Sequence, residues 1–112
     1  MAVENRVVFF PCKDIHETSK FYQEVVGLKL VQVQNSGYEC HIFDTGYGYL
    51  GFCQYPDGRP IPSGPVGMCI SLNCHDEADV DAHYEVVKAR GAQIVCPPKK
   101  QDNFPVYACF IR

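Results

Sequence analysis

An apolar, strand-like run from Val7 to Phe10 leads into Asp14 and then a helical stretch carrying Phe21, Tyr22 and Gly27. Roughly sixty residues on, the pattern returns: Met68 to Leu72 leads into Asp76 and a stretch carrying His83, Tyr84 and Gly91. A strand-and-helix unit of this size cannot bury its sheet face alone, so the two copies are expected to pair around one core and enclose one site between them. The 112 residues suffice for one small domain, which buries about two thirds of the surface exposed by its unfolded chain. Function is therefore sought between the halves.

Within the first copy, residues 5–11 read as a strand closed by Pro11. Asp14 with Glu17 three positions on is a helix start of the capping-box kind, and Ile15, Ser19, Tyr22 and Val26 follow at helical spacing. Gly27 is expected to stop that helix in a left-handed conformation. Leu28 to Gln34, Tyr38 to Asp44 and Tyr47 to Tyr55 read as three strands, separated by Asn35-Ser36-Gly37 and by the turn around Gly46. The stretch 56–65 holds four prolines and two glycines and reads as a connector. Beyond it, the second copy is expected to run through a strand over 67–73 and a helix over 76–90 opened by Asp76 and Asp79. Val80, His83, Tyr84 and Val87 form that helix's apolar stripe, and Gly91 stops it. A short strand at 93–96, a loop over 97–103 and a strand over 104–111 leave the second copy one strand short. The organisation expected is a single domain: module 1 at about 1–55, a linker at 56–65, and module 2 at about 66–112.

Charge and hydropathy exclude several partners. The net charge is −3, and Lys99-Lys100 is the one adjacent basic pair, so nucleic acid is not expected. No apolar stretch approaches the roughly 20 residues that span a bilayer, and Glu4 precedes any hydrophobic run, unlike a secretory signal. These features predict a cytoplasmic protein without membrane association. The seven cysteines are odd in number, and each lies within or beside an apolar run; they read mainly as small buried hydrophobes. Cys69, Cys74 and His75 are close in sequence, but no C-x-x-C spacing marks a zinc site.

The segments Val8-Phe9-Phe10-Pro11-Cys12-Lys13-Asp14, Ser19-Lys20-Phe21-Tyr22 and Val26-Gly27-Leu28 resemble the first module of the vicinal oxygen chelate superfamily, which includes glyoxalase I, bleomycin-resistance proteins, fosfomycin-resistance enzymes and extradiol dioxygenases. Tyr84, Val87, Gly91, Ala92 and Ile94 are similar to its second module. The resemblance implies an α+β fold of two βαβββ modules pairing into an open, cup-shaped mixed sheet with helices outside, in a homodimer. Here the last strand of the second module is missing. Either the protein lacks that strand and a neighbouring subunit covers the edge, or the sequence is a piece of a longer one.

Enzymes of this family hold a divalent metal with His and Glu from strands of both modules, and the metal acts as a Lewis acid. Alignment through Asp14 places Val7 where the first strand usually offers His, Gly51 or a neighbour where Glu is frequent, and Met68 where the second module begins. The last ligand follows an Asp-Pro-Asp-Gly-like turn in the family, and this sequence ends at Arg112, where that turn would begin. The expectation is that the metal site is absent, with no cofactor, and that the cup binds a small organic molecule. Tyr47, Tyr49 and Cys53 share a strand face with residue 51 by the period of two; with Val7, Met68 and Tyr107 they are the candidate ligand-binding residues. Packing against helices or a second subunit is the alternative for the tyrosines.

His41, mid-strand, is a candidate general base or a hydrogen-bonded, half-buried histidine, and Glu39 shares its face as a conceivable acid and base partner. His16, His75 and His83 read as surface or packing residues. Lys99, Lys100 and Gln101 could overhang the cup or stand in solvent. The rival readings are a metal-dependent glyoxalase-like lyase, isomerase or dioxygenase using ligands from other positions, such as His41 and Glu39, and a non-catalytic interaction module.

Overall fold

The computed structural model describes residues 2–62 and 69–112, and the chain divides into two compact units, Met1–Ile70 and Ser71–Arg112. The first unit contains strand β1 (Val7–Pro11), helix α1 (Ile15–Lys20) running into a π-helical segment (Phe21–Val26), and strands β2 (Lys29–Asn35), β3 (Glu39–Asp44) and β4 (Tyr49–Gln54). The strands form one sheet in the order β1-β4-β3-β2, in which β1 runs parallel to β4 and the other neighbours are antiparallel. This is the strand, helix and three-strand meander read from the sequence.

Local chemistry fixes the helix ends. The Asp14 carboxylate accepts from the amides of His16, at 3.0 Å, and Glu17, at 3.3 Å, satisfying two donors of the first turn. Gly27 ends the helix at φ 87°, a conformation open to glycine without steric cost. The expectation of a continuous α-helix is corrected: Gly27 N–H donates to the Tyr22 carbonyl at 3.0 Å, a five-residue step, and the last turns widen into a π-helix. Tyr22, in that wider turn, stacks on Phe52 with ring centroids 4.6 Å apart.

Cys12, Ile15, Phe43, Leu50 and Phe52 form the buried cluster between α1 and the sheet, with Phe10, Tyr22, Leu28 and Leu30 packed against it. Because successive strand side chains alternate, this cluster assigns both faces. Glu39, His41 and Phe43 of β3 and Leu50 and Phe52 of β4 face α1. Cys40 and Ile42 of β3, Tyr49, Gly51 and Cys53 of β4, and Val7 and Phe9 of β1 occupy the opposite face. There Cys40 and Cys53 stand directly opposite each other across the ladder, Cα atoms 4.1 Å apart, and are joined by a disulfide. The expectation that the cysteines are mainly small buried hydrophobes is corrected: this pair is cross-linked, Cys69 is exposed, Cys74, Cys96 and Cys109 are only partly buried, and of the five free thiols Cys12 alone is buried. Facing register, invisible in the sequence spacing, brings Cys40 and Cys53 together.

The second unit contains helix α2 (Glu77–Ala89) and an antiparallel hairpin of β5 (Ile94–Lys100) and β6 (Tyr107–Ile111). Asp76 caps α2 by accepting from the Asp79 amide at 2.8 Å, and Val87 is the helix residue most deeply buried. Strand β5 extends through Pro97, Pro98, Lys99 and Lys100, all of which the sequence places in a loop. Register shifts between Ile94 and Cys96 and between Cys96 and Lys99 accommodate residues that cannot donate to a ladder. The expected strand over 67–73 falls partly outside the described residues, as does the candidate site residue Met68. Residues 69–73 have no regular structure. Their apolar alternation confers strand propensity, but a strand forms only where a partner completes its ladder.

Candidate functional site

Two parts of the first unit carry functional side chains, one on each sheet face. On the face opposite α1, parallel pairing sets Val7 beside Tyr49 and Phe9 beside Gly51. A Cβ built on Gly51 would lie 2.5 Å from Phe9 Cδ1 and 2.6 Å from Phe9 Cε1, so the Phe9 ring fills the space of a side chain at position 51. Val7 and Phe9 are 38% and 40% exposed, and Tyr49 is half-buried, so an apolar and aromatic surface remains accessible here. Cys53 shares this face but is buried in the disulfide. Tyr47 does not share it: the strand begins at Tyr49, and Tyr47 projects from the preceding turn, 96% exposed. That turn is closed by Thr45, whose amide and hydroxyl both donate to the Gly48 carbonyl. Tyr107, in the second unit, faces α2, its hydroxyl donating to Asp81 Oδ1 at 2.6 Å.

On the helix face, polar groups interrupt the apolar core. His41 is buried, with Nδ1 2.8 Å from Ser19 Oγ and Nε2 2.8 Å from Glu39 Oε2. In the neutral ring, Nε2–H donates to the carboxylate and Nδ1 accepts from the Ser19 hydroxyl, and Ser19 Oγ in turn accepts from Gln23 Nε2 at 3.0 Å. His16 completes the group: its Nε2 lies 3.6 Å from Glu39 Oε2 and its ring meets that of His41 edge-on, with centroids 5.9 Å apart. Beside them opens a pocket of 240 Å³ lined by His16, Ser19, Lys20, Gln23, Glu24, Leu30 and His41. No buried side-chain nitrogen or oxygen among the described residues lacks a partner.

The Glu39 and His41 pairing follows from the period of two read in the sequence. The recruitment of His16 and Ser19 does not. Residues 16, 19 and 23 stand at helical spacing behind the Asp14 cap, which marks a common face of α1 and the segment that continues it, but only packing shows that this face meets His41. His75 and His83 belong to the second unit and are exposed. Elsewhere, burial pushes the thiols of Cys12, Cys74 and Cys109 and the phenol of Tyr22 above their ordinary values. No helix among the described residues is long and apolar enough to cross a membrane.

The chain resembles TioX from Micromonospora sp. ML1, with 23% identity, a TM-score of 0.67, and coverage of 96% of this chain and 88% of that one. It resembles a glyoxalase/bleomycin resistance protein/dioxygenase from Nocardioides at 17% identity and a TM-score of 0.72, over 100% of this chain and 76% of the other. A superfamily member from Sphaerobacter thermophilus DSM 20745 matches at 20% identity and a TM-score of 0.71, over 98% and 88% of the two chains. These likenesses concern the fold. No functionally curated protein matches. The profile of the Glyoxalase/Bleomycin resistance protein/Dioxygenase superfamily matches residues 5–110, nearly the whole length, and the chain therefore belongs to that superfamily.

Proposed function

We propose that this chain is a superfamily member that binds a small, planar organic molecule through aromatic and apolar side chains, in the manner of drug-sequestering members, and not through a metal held at the family's usual position. The observation that carries the reading is the Phe9 ring lying over Gly51. Where the resemblance implies a Glu carboxylate, a ring fills the space. Where it implies His, Val7 stands beside Tyr49 on the same face. Phe9 and Tyr49 offer flat, polarisable contact area beside the aliphatic Val7, and the Tyr49 hydroxyl gives direction, as aromatic sites with few polar groups do.

Thermal-shift screening and equilibrium dialysis against planar aromatic metabolites and antibiotics test this. A ligand at a hundred times its dissociation constant adds about 2.7 kcal/mol of stability, and Phe9→Ala and Tyr49→Ala should each weaken its binding. Silence across a broad panel, or a ligand indifferent to both substitutions, overturns the reading. The reading includes a homodimer, since β2 is an edge strand with Val31 and Val33 41% and 53% exposed. Sedimentation equilibrium decides that point.

A further inference from the structure

We propose that His16, Glu39 and His41 form a binding site for one divalent transition-metal ion of borderline softness, Zn²⁺, Co²⁺ or Ni²⁺, on the helix face of the four-stranded sheet. One ligand atom from each residue lies within 4.8 Å of the other two. A tetrahedral ion with bonds of about 2.0–2.2 Å holds its ligand atoms roughly 3.3–3.6 Å apart. The 3.6 Å between His16 Nε2 and Glu39 Oε2 already meets that spacing, and the 2.8 Å between His41 Nε2 and Glu39 Oε2 needs to open by about half an ångström. Two imidazoles and one carboxylate suit these ions and offer too few oxygens for calcium or magnesium.

The surroundings are built as such a site requires. His41 and Ser19 are 7% and 3% exposed, so the central ligand is fixed. When an ion takes His41 Nε2, the ring proton resides on Nδ1 and is donated to Ser19 Oγ, an outer contact that orients the imidazole. The His16 side chain is 76% exposed and gives the ion a way in. Three protein ligands leave a fourth position for water, and His16 and His41 themselves line the open pocket that Lys20, Gln23 and Glu24 border. The site lies on the opposite sheet face from Val7 and Gly51 and is independent of the aromatic surface proposed above.

Anaerobic Co²⁺ and Ni²⁺ titration of the full chain, followed by calorimetry and visible absorption, tests the site. The expected result is one equivalent bound without thiolate-to-cobalt charge-transfer absorption. His16→Gln and Glu39→Gln should each weaken binding by about tenfold or more, while keeping the wild-type circular dichroism. Cys74→Ser with His75→Gln should leave the affinity unchanged, as should Phe9→Ala, which separates this site from the organic-ligand surface. Absence of stoichiometric binding, thiolate absorption, or affinity indifferent to His16→Gln overturns the proposal. Because His16 is exposed, that variant remains informative should Glu39→Gln fold poorly.

Discussion

Replacing Gly51 with alanine should destabilise this chain, and removing the Phe9 ring should reverse the sign. Gly51 lies within β4 and is not among the glycines with positive φ, so alanine meets no backbone penalty there. In an unobstructed strand alanine is more favourable than glycine by roughly 0.5–1 kcal/mol, because glycine loses more freedom on folding. Here the new methyl would lie 2.5 and 2.6 Å from two Phe9 ring carbons, against about 3.5–4.0 Å for carbons in contact. The ring must shift by about 1 Å or more, and overpacking of this kind costs about 1–3 kcal/mol. The net expectation is a loss of up to about 2.5 kcal/mol in the wild-type background and a gain of roughly 0.5–1 kcal/mol in Phe9→Ala. Urea denaturation of wild type, both single variants and the double variant closes the cycle and gives a coupling energy of about 1–3 kcal/mol. If Gly51→Ala has the same effect in both backgrounds, Phe9 does not fill the space over Gly51, and the case for a ring in place of a carboxylate fails with it.

Three further outcomes follow from named contacts. The hydrogen bond to Asp81, with smaller contributions from burial and neighbouring charge, pushes the Tyr107 phenol up to about 12 from 10.0; the associated stability is complete below about pH 10 and lost between there and about pH 12. In a tyrosinate absorbance titration, Asp81→Asn should bring one late-ionising tyrosine back toward its ordinary value, and an unchanged curve refutes the bond. Thiol counting in denaturant should find five free cysteines before reduction and seven after, and in the native protein exposed Cys69 should be alkylated first and buried Cys12 last; seven thiols without reductant refutes the Cys40–Cys53 bridge. Asp14→Ala should cost about 1 kcal/mol by thermal or urea unfolding, since it removes the acceptor for two first-turn amides, whereas Asp14→Asn should retain most of that stability.

Features governed by neighbours along the chain are legible in the residue order. Asp14 and Asp76 cap helices, Gly27 takes the left-handed stop, and the alternation in β3 and β4 puts Glu39 with His41 and Tyr49 with Gly51 and Cys53. Residue order over 5–110 was enough to indicate the family. Which distant groups meet depends on how the elements pack. The parallel pairing of β1 with β4 lays Phe9 on Gly51, and the β3–β4 register joins Cys40 to Cys53. Packing of α1 on the sheet brings His16 and Ser19 to His41, and the fold of the second unit turns Tyr107 onto Asp81. Residues 69–73 show the limit from the other side, since strand propensity without a partner ladder leaves them irregular. Caps, turns and periodicity act over a few residues and are written locally; registers and inter-element contacts arise when separate elements bury a shared face, and sequence spacing does not encode which atoms then become neighbours.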